Sequence, residues 1–142
     1  MRNSRRAVRL LAGTGRTHAP LELRSDHRAG FRASQRVLDL GAVSVWPTTF
    51  QPVCFRRTPK LIRQSDPEGL HLSLPLSGAL RAVRSEGEEV YGPDSLCVVD
   101  TSRPVDVHAG DEADLHAGVG VEVPRRCCRS PASGSTKWPG CG

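Results

Sequence analysis

Five histidines, five cysteines and a scatter of serines are the residues of this chain that could do chemistry. A metal held between strands needs two or three imidazoles and a carboxylate converging on one point. A His-x-His step supplies two of them, because side chains two apart on a strand share a face. His71 is followed by Leu72 and Ser73, so the second ligand is missing, and His108 and His116 lie on separate segments with no partner at ligand spacing. Cys127, Cys128 and Cys141 fit no zinc ribbon or finger, which needs four ligands in tetrahedral arrangement. Cys54 and Cys97 stand in apolar runs, where a free thiol packs as a small hydrophobe. Ser44, Ser73 and Ser77 have no Gly-x-Ser-x-Gly turn and no recognisable base, and Gly13-Thr14-Gly15 is too short to cradle a phosphate. The expectation is no catalytic centre, no resident metal and no cofactor.

The elements that would position any site are short strands. With 14 glycines, 11 prolines and 142 residues, the chain fits one turn-rich β domain with a modest core. From Leu21 onward, apolar runs are cut by turn residues every few positions, the pattern of a sandwich or barrel of about nine strands. Candidates are Leu21 to Arg24, Phe31 to Leu40, Ala42 to Trp46 (ended by Pro47), and Gln51 to Arg57. In the clearest, Leu70 to Leu76, Leu70, Leu72, Leu74 and Leu76 share one face, and His71, Ser73 and Pro75 share the other. Ser77-Gly78 should turn that strand into a hairpin with Ala79 to Arg84. Glu89 to Tyr91 and Ser95 to Asp100 follow, the latter apolar enough to be covered on both faces, then Val105 to His108 and Leu115 to Val123. Only Arg2 to Leu11 reads as a helix.

A net charge of +5 suggests nucleic acid, but the positions of the charges argue otherwise. Arg2, Arg5, Arg6, Arg9 and Arg16 precede the first acid, Glu22, and Arg125, Arg126 and Arg129 crowd the tail. Between them the signs are mixed, so no basic stripe forms and no direct DNA binding is expected. No apolar run approaches the ~20 residues of a membrane span, and Arg9 interrupts the one short stretch near the start. An odd number of cysteines, three of them in the last sixteen residues, is no disulfide framework and suits a cytoplasmic setting.

Several segments resemble one family in order and spacing. Arg57-Thr58-Pro59-Lys60-Leu61-Ile62, running on to Asp66-Pro67, is similar to a segment of the ligand-binding domain of AraC-type transcription regulators. Leu72 to Gly78 resembles its next strand. Asp94-Ser95-Leu96, with Asp100-Thr101-Ser102-Arg103-Pro104, resembles a later turn, although Pro93 stands where the family has glycine. Phe31-Arg32-Ala33 and Leu40 to Val43 match its opening strands, so the likeness spans residues 20–124. The resemblance implies a mainly β, cupin-like double-stranded β-helix, a jelly-roll barrel, here with a short N-terminal helix. It also implies a sensory or dimerisation domain, not an enzyme, that binds a small effector or pairs as a homodimer. The other readings are a small metal-dependent cupin enzyme and a non-functional regulator fragment.

Residues 1–19 form a basic segment that matches poorly, and residues 125–142 change character abruptly. In GC-rich codons, Arg126-Cys127-Cys128-Arg129-Ser130 read one base earlier gives Ala-Leu-Leu-Pro-Leu, an ordinary linker-like sequence. The expectation is an irregular tail, out of frame, with the DNA-binding half lost. Barrel pockets combine apolar walls with a few polar groups, which singles out Trp46, Arg57, His71, Leu74 and Tyr91 as the effector pocket. The plainer expectation is that Trp46 and Leu74 are core, Arg57 pairs with a carboxylate and His71 faces solvent.

Overall fold

The computed structural model describes residues 19–25, 31–110 and 115–128. Its strands are β1 (Glu22–Arg24), β2 (Ala33–Gln35), β3 (Leu38–Asp39), β4 (Ser44–Phe50), β5 (Val53–Arg57), β6 (Gly69–Ser77), β7 (Leu80–Arg84), β8 (Gly87–Tyr91), β9 (Cys97–Asp100), β10 (Val105–Ala109) and β11 (His116–Pro124). They form two antiparallel sheets, ordered β1-β5-β10-β7-β8 and β2-β4-β11-β6-β9, with β3 also on β4. Two such sheets closing on each other are a cupin-like jelly-roll barrel, as expected. The helix expected at Arg2 to Leu11 lies outside the described residues.

Several strand expectations change. Phe31 to Leu40 is two short strands, and β4 continues through Pro47 to Phe50. The carbonyl of Pro47 accepts from Arg36 N at 3.2 Å, so its imino nitrogen points to the same side, at the break between β2 and β3. No ladder donor is needed there, and the proline is tolerated. The turn after β6 makes no hairpin: β6 pairs with β11 and β9, whereas β7 pairs with β10 and β8. Gly78 takes φ +77 at this crossing, and a β-carbon there would lie 3.4 Å from His116 Nδ1. β9 is an edge strand covered on one face only, with Cys97 and Val99 buried and Val98 exposed.

One helix was not legible from apolar periodicity. Helix α1 (Pro59–Gln64) starts where the Thr58 hydroxyl accepts from Leu61 N at 3.2 Å, with proline in its first turn, a local capping signal rather than a periodic one. The chain after β11 is also more ordered than expected at its start. Arg125–Cys128 form a 3₁₀ turn, Arg125 N donates to Glu68 O at 2.9 Å, and the Arg125 guanidinium contacts Asp100.

The core between the sheets is built from small side chains: Val53, Leu80, Ala82, Cys97, Val99, Val105 and Ala109. Phe50, Phe55 and Val107 pack against it from the inward rows of their strands. Small core residues leave space inside the barrel, and that space is the candidate site.

Candidate ligand-binding site

The interior holds a cavity of about 210 Å³. Leu23, Phe55, Val105 and Val107 supply apolar wall from one sheet, and Trp46, His71 and Glu122 supply the polar end from the other. The inward residues of β11 place a second polar group, His116, at the other end of that strand from Glu122. They run His116, Gly118, Gly120, Glu122 at period two, so two glycines separate two polar side chains.

Gly120 sits opposite Trp46 on β4 and opposite Ser73 on β6. With no side chain between them, the indole of Trp46 extends over β11 and stacks on His71, ring centroids 5.4 Å apart at 24°. His71 lies directly across from Glu122, and its Nδ1 stands 3.2 Å from Glu122 Oε2. An ionised carboxylate only accepts, so Nδ1 carries the proton. The second oxygen, Oε1, is buried without a protein partner. His116 Nδ1 is likewise buried and unpartnered, and its ring stacks on Phe50 at 5.1 Å. Burial pushes the His116 pKa down, so the imidazole is held neutral.

Of the five residues singled out from sequence, Trp46, Arg57, His71 and Leu74 border this cavity and Tyr91 does not. Trp46 is buried, and it lines the cavity as well as packing. Arg57 is 1 % exposed, and its hydrogen-bond partners among the described residues are backbone carbonyls, not a carboxylate. Its guanidinium donates to Thr101 O at 2.8 Å, Pro20 O at 3.0 Å and Ser65 O at 2.6 Å, tying three loops to β5. Burial lowers its pKa, with Asp66 and Glu122 opposing the shift. His71 faces inward, not solvent, because the leucine face of β6 is the outer one. Leu74 is 41 % exposed, with its side chain on that outer row, and is not core; it is the Leu74 carbonyl that lies on the inner side, beside Gly118. Tyr91 ends β8 on the far edge of the other sheet, where its hydroxyl contacts Glu89. Burial and Glu89 raise its pKa.

Glu122 was not singled out from the sequence, and His116 was weighed there only as a metal ligand; the His-x-Gly-x-Gly-x-Glu alternation is the signal that joins them as cavity-lining candidates. His108 also has neighbours that linear spacing hides. Across the β5–β10 pair its Nε2 is 3.8 Å from Cys54 Sγ, and with Asp106 these donor atoms lie within 4.8 Å of one another. Among the described residues this group sits on the outward rows of its sheet. Burial first, then Asp106, raises the Cys54 thiol pKa; burial first, then Arg81, lowers that of His108. Arg56 holds Asp106 at 3.0 Å, and the positive field of Arg24, Arg56 and Arg81 around the thiol opposes a cation there.

No helix among the described residues is long and apolar enough to cross a membrane. Residues 12–137 match the AraC-binding-like domain family. The sequence matches no curated protein. Among solved structures, the chain is similar to the AraC-like transcriptional activator CuxR, with a TM-score of 0.66 and 18 % identity over 75 % of this chain and 39 % of that one. This chain thus spans about two fifths of that activator's length. A putative mannose-6-phosphate isomerase from Ralstonia eutropha is similar at a TM-score of 0.50 and 11 % identity, covering 66 % of this chain and 85 % of that one. A cupin domain of an XRE family transcriptional regulator from Enterobacter cloacae matches at 0.49 and 10 %, covering 64 % and 95 %.

Proposed function

The chain belongs to the family of AraC-binding-like domains, and from that premise we propose that it is the sensory and dimerisation part of a transcription regulator, not an enzyme. It binds a small effector inside the barrel and pairs with a second subunit. The observation that carries the effector half is the unpartnered Oε1 of Glu122, a buried acceptor on a residue that borders a mainly apolar cavity. A buried acceptor without a donor is costly, and a ligand N–H or O–H would satisfy it. An apolar cavity of about 150 Å³ takes benzene. The 210 Å³ here suits one ring or a branched chain of similar size with a short polar head. Such an effector is compact and apolar with one donating group, an amine before an alcohol, and a carboxylate is repelled by Glu122.

Among the described residues the outward arginines Arg24, Arg56 and Arg81 alternate with Glu22, Asp106 and Glu88 and form no basic stripe, so direct DNA contact is not part of this reading. The free thiols Cys54 and Cys97 fit a reducing cytoplasm. Thermal melting and tryptophan emission with benzylamine, benzyl alcohol and benzoate test the effector half, with Trp138→Phe leaving Trp46 as sole reporter. Benzylamine should raise the melting temperature most and benzoate least. Equal or absent responses to all three would sink it. Stoichiometric metal in purified protein would instead favour the metal-dependent cupin enzyme.

A further inference from the structure

We propose that the outward face of the β2-β4-β11-β6-β9 sheet is the surface through which two copies of this chain pair. This rests on the pairing half of the function above and assigns it a location. The register places Leu38 beside Val45, Val45 beside Val121, Val121 beside Leu72, and Leu72 beside Val98. One aliphatic row therefore crosses five strands without a polar residue. A second row sets Pro47, Val119 and Leu74 side by side, and a third sets Val123 beside Leu70. The third row ends at Asp100, which Arg125 and Arg103 already neutralise. An antiparallel sheet facing water ordinarily alternates to polar residues on that side.

The other sheet obeys that rule. Its outward rows carry Glu22, Arg24, Arg56, Asp106, Arg81 and Glu88, with ion pairs among them. The contrast within one molecule locates the apolar surface on one side only. The rows cover five, three and two strands, and those ten positions at about 7 Å by about 4.8 Å make a face of roughly 340 Å² in projection. A continuous apolar patch of that size is as large as the largest on a typical monomer, and such patches mark interaction sites.

The face fits a second copy in particular. Its charges are confined to one corner, where Asp100 is paired with Arg125 and Arg103, and the rest is aliphatic against aliphatic when matched to itself. β11 is the middle strand of the five, so a two-fold axis through Val119 and Val121 lays each copy's rows over its partner's, as two sheets pack in a sandwich.

Sedimentation of the full chain over a concentration series, with and without changes to this face, tests the proposal. Wild type should be a dimer. Leu74→Glu and Val98→Lys, each alone, should raise the dimer dissociation constant about tenfold or more while the monomer still melts cooperatively, because each buries an unpaired charge. Val90→Glu, on the outward rows of the other sheet, should leave it unchanged. Leu74→Ser serves if Leu74→Glu fails to fold. A monomer at every concentration overturns both this face and the pairing reading. A dimer indifferent to Leu74 and Val98 changes overturns the face and leaves pairing standing.

Discussion

Gly120 on β11 lies so close under the indole of Trp46 that a β-carbon there would come within 2.7 Å of Cδ1 and 2.9 Å of Cε2. These are ring atoms of a buried side chain, flanked by His71, and they have no flexible end to move aside. Gly120→Ala should therefore displace the indole and destabilise the protein by about 1 to 3 kcal/mol, the usual cost of overpacking. In a Trp138→Phe background, the Trp46 emission should shift to the red as the ring meets water. A urea midpoint and emission maximum unchanged from wild type would mean the strand yields elsewhere.

Glu122 borders the cavity directly across from His71, with one oxygen held by that ring and one left over. Glu122→Gln keeps the shape but removes the charge that an ammonium head would meet. Benzylamine binding should weaken about tenfold or more, whereas benzyl alcohol should change little, since charge-assisted hydrogen bonds are roughly twice as strong as neutral ones. Titration followed by Trp46 emission reads both. Equal loss for the two ligands would point to a packing effect.

How much of this was legible in the sequence depends on which neighbours matter. Period-two alternation correctly separated Leu70, Leu72 and Leu74 from His71 and Ser73, because it is a property of one strand. It could not say which face is inside. Leucines normally claim the core, yet here the histidine row turns inward to meet Glu122, and the leucines face out. Partnership was hidden for the same reason. His71 and Glu122 are 51 residues apart, and Cys54 and His108 are 54 apart, so only the sheet order brings them together. The Ser77-Gly78 step read as a hairpin because a glycine turn looks alike whether the chain returns beside itself or crosses to the opposite sheet.

Arg57 shows the other way local reading falls short. An arginine in an apolar strand suggests a carboxylate partner, but the guanidinium instead donates to three backbone carbonyls from separate loops. Removing it leaves those acceptors without their donor and frees the loop before β1 from the start of the barrel. Arg57→Met should cost about 3 to 5 kcal/mol in urea unfolding, since hydrogen bonds to a charged group contribute about 1.5 to 3 kcal/mol each and do not simply add. Arg57→Lys should recover only part of this, because one ammonium cannot reproduce a planar fork. Full recovery by lysine would show that charge, not geometry, holds the three loops.

His116 makes stability depend on pH, and the sign follows from its burial. Its folded-state pKa lies below the unfolded value of about 6.5. The unfolded chain therefore binds the proton more readily, and stability rises with pH across that interval. The contribution is complete above the unfolded pKa and is lost as pH falls from there through the lower folded value. Protonation would charge a ring stacked on Phe50 and enclosed by Gly78 and Gly118, whose absent side chains leave it just enough room. His116→Phe keeps a ring of similar size in that slot and removes both the titration and the unpartnered Nδ1. Urea midpoints for wild type and His116→Phe should diverge steadily in favour of the variant between about pH 7 and about pH 5. Parallel curves would mean that His116 takes up its proton in the folded barrel as easily as in the unfolded chain.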